Sequence, residues 1–245
     1  MKQYIRLLIL VLTTILISCN GQPKSNNENK SEQNILVQNT AEDIKRNPRD
    51  YVKNYDGESN KLFVFVGQKI SVDNLPHEEN SMDASFKAKY IVLQKVFGDF
   101  ARDTIEFVAY DHLIIDTIPE FSTFDNVLLF VSADSGTYFH QKHMYNDVYL
   151  TKSGKWAGTY ADDDYGHEYN NKTKIKPIKI DFANEVSYPA TFNKENSKYP
   201  KPYFKIVGNK AIAMYGNYVD ELFILKRDGY LTAREIFKDG KLQWQ

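Results

Sequence analysis

Five histidines, at positions 77, 112, 140, 143 and 167, and one run of acids are the side chains in this sequence best suited to chemistry. His140-Gln141-Lys142-His143 sets two imidazoles three apart, and Asp162-Asp163-Asp164-Tyr165-Gly166-His167-Glu168 supplies carboxylates and a third imidazole. Neutral imidazole nitrogen and carboxylate oxygen are the usual hard and borderline metal ligands. One reading is therefore a metal-dependent hydrolase that uses His140, His143, Asp162, Asp164 and His167. The spacing is not diagnostic. It lacks the helical His-Glu-x-x-His arrangement, and the acid run lacks the glycine position and closing glutamate of a calcium loop.

Other catalytic patterns fit less well. Ser132-Ala133-Asp134-Ser135-Gly136 is not the Gly-x-Ser-x-Gly elbow that raises a nucleophile above a sheet, so Ser135 reads as a turn residue. Gly154, Gly158 and Gly166 are too sparse to cradle a phosphate, and they do not lie between a strand and a helix. Tyrosine is abundant, with 17 in the chain, and Tyr160, Tyr165, Tyr169, Tyr188, Tyr199 and Tyr203 fall in polar stretches. Such rings can stack on a ligand while their hydroxyls bond, but packing in strands and loops is the commoner use. With no specific catalytic constellation, the preferred expectation is a non-enzymatic binding or interaction module without a cofactor, and the hydrolase is the alternative.

The elements that would position these groups begin after an unusual amino terminus. Lys2 and Arg6 precede an apolar run over residues 7–17, which ends at Leu16-Ile17-Ser18-Cys19. As a helix that run would reach about 16 Å, against a hydrocarbon core of about 30 Å, so it reads as the core of a signal peptide. The four residues ending at Cys19 resemble the lipobox of bacterial lipoprotein precursors. The resemblance implies cleavage after residue 18, lipidation of Cys19 and attachment to a membrane. Cys19 is the only cysteine, so no disulfide can form within the chain. Cleavage would remove Lys2 and Arg6, moving the formal charge from −1 to −3. That balance gives no general attraction to nucleic acid or anionic lipid, so attachment would have to come from the lipid.

Residues 20–33 contain no apolar side chain, which makes residues 19–34 a lipidated cysteine followed by a flexible tether. No dense acidic cluster follows Cys19, and the expected location is the outer membrane, facing the periplasm. A partner would be an envelope protein or glycan. Thr40 followed by Ala41-Glu42-Asp43 predicts one short N-terminal helix, ended by Pro48.

Beyond residue 60 the period of apolar residues becomes two. Leu62-Phe63-Val64-Phe65-Val66 and Val127-Leu128-Leu129-Phe130-Val131 are continuous apolar runs, as in strands covered on both faces. Phe86, Ala88, Tyr90, Val92 and Val96 alternate with Lys87, Lys89 and Lys95, as in a strand covered on one face. Hairpins are expected across Lys152-Ser153-Gly154, Gly208-Asn209, Arg227-Asp228-Gly229 and Lys238-Asp239-Gly240-Lys241, with Leu222-Phe223-Ile224-Leu225 read as a strand. The predicted fold is mainly β. A helix and an OB-like or related small β-barrel occupy residues 35–160, a polar loop residues 161–175, and further antiparallel hairpins residues 176–245. The order of strands from Leu62 to Ser132 is similar to the netrin-like barrel of tissue metalloproteinase inhibitors. That resemblance implies fold alone, because the cysteines of that family are absent here.

Overall fold

Continuous and alternating apolar runs divide the strands by what covers them. In the computed structural model, which describes residues 61–76, 81–112, 119–134, 136–166, 168–169, 173–190 and 198–243, strand β1 spans Lys61–Asn74 and β4 spans Asn126–Asp134. Side chains alternate across a strand. Phe63 and Phe65 of β1 and Val127, Leu129 and Val131 of β4 point into one apolar core. Leu62, Val64 and Val66, with Leu128 and Phe130, point into a second core on the other side. Strand β2, Asp83–Phe97, sends Phe86, Ala88 and Tyr90 inward and leaves Ile91 and Leu93 exposed.

Strands β3 (Thr104–His112) and β5 (Thr137–Leu150) complete the barrel. The pairings β3–β2, β2–β1, β1–β4 and β4–β5 are antiparallel, and a parallel contact at Val108↔Phe139 brings β3 onto β5. Five strands thus close partly into an OB-like ring, whose first core is filled largely by aromatic side chains. A short 3-10 turn, Glu120–Thr123, leads into β4 and buries Phe121 in that core.

The large sheet continues past the ring. Through the turn Lys152-Ser153-Gly154, β5 enters β6 (Trp156–Thr159), with Gly154 at φ +78°. Strand β7 (Ile178–Lys179) and the later strand β11 (Tyr215–Tyr218) extend the sheet in the order β6-β11-β7. The crossing of β6 and β11 needs glycine, since a Cβ on Gly216 would lie 1.8 Å from the Gly158 carbonyl oxygen. A three-stranded sheet pairs β8 (Ser187–Pro189) and β9 (Phe204–Val207) with β10 (Lys210–Ala213) between them. The turn between β9 and β10 is the expected Gly208-Asn209. Strands β12 (Phe237–Lys238) and β13 (Lys241–Leu242) form the last hairpin.

One expected hairpin is a helix instead. Helix α1 is a single turn, Asp162–Gly166, and α2 spans Val219–Lys226, followed by a π-helical turn at Arg227–Leu231. Asp220 and Glu221 occupy the first turn of α2 and Lys226 its last, matching the helix dipole. Glu221 also accepts from the Tyr218 backbone amide at 3.2 Å. Val219, Leu222 and Phe223 are buried on the second core. This helix is what covers the outer face of β1 and β4. Fully burying one such aliphatic or aromatic side chain contributes about 1.5–3 kcal/mol, and that exceeds the modest β preference of the Leu-Phe-Ile-Leu run. The supposed polar loop of residues 161–175 therefore contains α1, and the C-terminal segment sends β11 into the large sheet.

The described residues form one compact unit. The leader, the tether and the N-terminal helix lie outside the described residues, as do His77, Ser135 and His167. No helix among the described residues is long and apolar enough to cross a membrane.

Candidate functional site

His140 and His143 lie at an irregularity in β5. Across the β4–β5 pairing, Leu129 faces Tyr145 while Val131 faces His140, so three extra residues loop out of β5. His143 sits in that bulge at φ +64°. His140 points inward against Phe121, with ring centroids 4.7 Å apart, and its Nε2 bonds the Met144 carbonyl oxygen at 3.0 Å. Burial pushes its imidazole down to about 4. Neighbouring side chains brace the same bulge. Gln141 Nε2 donates to Ser132 Oγ at 2.7 Å, and Arg234 donates to Gln141 Oε1 at 3.2 Å and to the Lys142 carbonyl at 2.8 Å.

His143 is exposed on the opposite side, its ring 6.0 Å from that of His112. His112 Nδ1 and Lys142 Nζ both approach Asp83 Oδ1, at 2.9 and 2.7 Å. The Lys142 hydrogen bond is the main cause holding the Asp83 carboxyl below its ordinary value.

The acid segment goes elsewhere. Asp162 is exposed and accepts from Tyr160 at 2.5 Å. Asp164 is buried in an ion pair with Lys226, and its other oxygen accepts from Asn146 Nδ2 at 2.6 Å. Lys226 Nζ also lies 5.4 Å from the centre of the Tyr230 ring. The four described members of the proposed metal set are therefore divided among a core histidine, an exposed histidine, an exposed acid and a buried ion pair. Among the described residues no group of three or more potential ligands gathers around one position.

Near Asp164 lies a half-buried acid, Asp147, that the sequence reading missed. Asp147 Oδ2 accepts from Tyr188 and, at 2.9 Å, from Tyr149, while Tyr188 also meets Thr159 Oγ1 at 2.9 Å. Burial holds the Asp147 carboxyl above its ordinary value. The loop tyrosines fill space between these elements. Tyr160 stacks on Tyr165 at 5.1 Å and on Tyr203 at 3.8 Å, and Tyr188 stacks on Tyr199 at 5.8 Å. Each of these rings lays a face on a neighbour, and Tyr160, Tyr188, Tyr199 and Tyr203 pack against a core that includes Phe204 and Ala211. Tyr169 is the exposed exception, and its ring meets the Tyr230 ring edge-on.

An open cavity of about 220 Å³ lies where β3 and β5 begin and the β2–β3 loop crosses them. Ile105, Phe100 and Tyr138, each at most 7% exposed, form its floor. Phe100, Tyr138 and Phe63 meet edge to face at 5.5–5.8 Å, which fixes the rings of that floor. The rim carries Lys89, Arg102, Thr104 and Glu106. Lys89 and Lys87 reach the Glu106 carboxylate at 2.9 and 3.2 Å, and the Lys89 hydrogen bond leads in lowering its pKa. The strand parity noted in β2 already put Lys89 on the outer face, opposite Phe86, Ala88 and Tyr90. Nothing local in the sequence joins Phe100 or Arg102 to Tyr138, because the β3–β5 contact makes that junction.

Compared with protein-family models, curated proteins and solved structures, the chain matches none of them.

Proposed function

We propose that this chain is an exported bacterial lipoprotein, anchored through Cys19, whose β unit is a non-enzymatic binding module of the cell envelope. The anchor rests on the lipobox Leu16-Ile17-Ser18-Cys19 behind a short apolar run, with no other thiol in the chain. The binding role rests on the barrel-end cavity. It sets Lys89, Arg102, Thr104 and Glu106 around an opening backed by the nearly buried Phe100, Ile105 and Tyr138, and convergent polar groups of this kind are what orient a ligand in a small-molecule site. The polar clusters elsewhere are taken up by internal contacts: His140 by the β5 bulge, Asp164 by Lys226 and Asn146, and Asp147 by tyrosine hydroxyls. The proposed location is the outer membrane facing the periplasm, with an envelope component as the source of the ligand.

Fractionation and a ligand screen test the two halves separately. The wild-type precursor, produced in a bacterium, should sediment with membranes and enter detergent, whereas Cys19→Ser should not be lipidated. A screen by NMR of small organic acids, sugars and neutral ring compounds against the purified protein should shift resonances of Phe100, Ile105 and Tyr138. A screen that leaves those three resonances unmoved contradicts the binding role.

A further inference from the structure

The formal charge of −1 conceals a local excess of the opposite sign. Residues 198–210, which lead into and form most of the β9–β10 hairpin, carry Lys198, Lys201, Lys205 and Lys210 and no acid. All four are exposed. Among the described residues, Glu185 is the one acid in an ion pair with any of them, reaching Lys210 at 3.6 Å with both side chains more than half exposed.

Register sets part of this charge around an apolar patch. Across the sheet β8-β10-β9, Lys205 faces Ile212, Val207 faces Lys210, and Lys210 faces Pro189. Paired residues project to the same side, and Phe204, Ala211 and Ala213 go to the core beneath. Lys205, Val207, Lys210, Ile212 and Pro189 therefore share the outer face. Val207 is 48% exposed there, and Ile206, beside the turn, is 37% exposed.

Ammonium groups that flank aliphatic side chains suit a lipid interface with acidic headgroups. The lysine stems are long enough to keep their charge among the headgroups while Val207 and Ile212 meet the acyl boundary. A glycan or a phosphate backbone would use the charge and give the aliphatic side chains no apolar surface to cover. We infer that the outer face of the β8-β10-β9 sheet docks on an anionic lipid surface, with Lys205 and Lys210 on headgroups and Val207 beside both. The choice of a membrane rests also on the proposed anchor at Cys19, which holds the chain at such a surface.

The mature chain from residue 19, with Cys19→Ser to exclude acylation and remove the only thiol, tests the docking apart from the anchor. It should sediment with vesicles of phosphatidylglycerol and phosphatidylcholine but not with phosphatidylcholine alone, and high salt should release it. Lys205→Gln and Lys210→Gln should each weaken binding about fivefold. Lys241→Gln, at an exposed lysine of β13, should leave it unchanged. A polarity-sensitive dye on Val207→Cys should shift to the blue on anionic vesicles, and one on Leu93→Cys, an exposed position of β2, should not. Binding to neither vesicle, or equally to both, would overturn the inference. So would a loss with Lys241→Gln as large as with Lys205→Gln, because net charge alone would then account for binding. A dye at position 207 that stays unshifted on vesicles, while dextran sulfate binds through the same lysines, would overturn it in favour of an acidic polymer.

Discussion

His140 is held neutral in the barrel core, and its protonation should act as an acid-sensitive weak point of the fold. Burial lowers its pKa from 6.5 to about 4, despite the bond to the Met144 carbonyl. Between those values the unfolded chain binds a proton that the folded chain refuses. Its contribution to stability is therefore complete above pH 6.5 and is lost as the pH falls toward 4. With the folded midpoint near 4 and the unfolded one at 6.5, the loss reached by pH 4 amounts to about 3 kcal/mol. The comparison is with His140→Gln, whose amide can still donate to the Met144 carbonyl but does not titrate. Urea unfolding of both proteins from pH 7.5 to pH 4 should show wild type losing about 3 kcal/mol relative to the variant. Subtraction removes the contributions of Asp83, Glu106 and Asp147, which are common to both. A direct NMR titration of the His140 ring should give a midpoint near 4. A midpoint near 6.5, together with a stability difference that is flat in pH, would refute the argument.

Three further outcomes follow from the same buried contacts. Lys226→Met should cost about 3–5 kcal/mol in urea unfolding by removing the ammonium that faces the buried Asp164 carboxylate, and adding Asp164→Leu should restore most of it. A loss under about 1 kcal/mol would mean that the pair is solvated. Gly216→Ala should destabilise by about 3 kcal/mol or more, because its Cβ would overlap the Gly158 carbonyl; Gly154→Ala, at a positive φ in open space, should cost only about 1–2 kcal/mol. Asp147→Asn should leave stability at neutral pH unchanged or improved. The raised folded pKa of Asp147 favours wild type at pH below the unfolded value near 3.8, and that advantage is lost as the pH rises through the folded value. Thermal melts of wild type and variant across pH would show the opposite slope if the carboxyl were not desolvated.

The parts of the fold that local pattern controls were legible in the sequence. Leu62 to Val66 and Val127 to Val131 read as doubly covered strands because both parities are apolar, and the structure gives each parity its own core. What covers the second face was misread. Leu222-Phe223-Ile224-Leu225 favours β by composition, but Asp220, Glu221 and Lys226 mark a helix, and Val219, Leu222 and Phe223 have helical spacing. The His140 and His143 pair showed that spacing alone misleads, since a bulge turns the two imidazoles to different surroundings. Lys226 with Asp164, and Arg102 with Tyr138, are juxtapositions made by tertiary closure, so no window of sequence contains them.

The most direct test of the account is the mass of the mature amino terminus, measured on protein recovered from membranes of a bacterium expressing the full precursor. A chain that begins at Cys19 and carries acyl and diacylglycerol groups, with Cys19→Ser left unprocessed, is the predicted result. A free Cys19 thiol, with the leader retained or cut at another position, would contradict it.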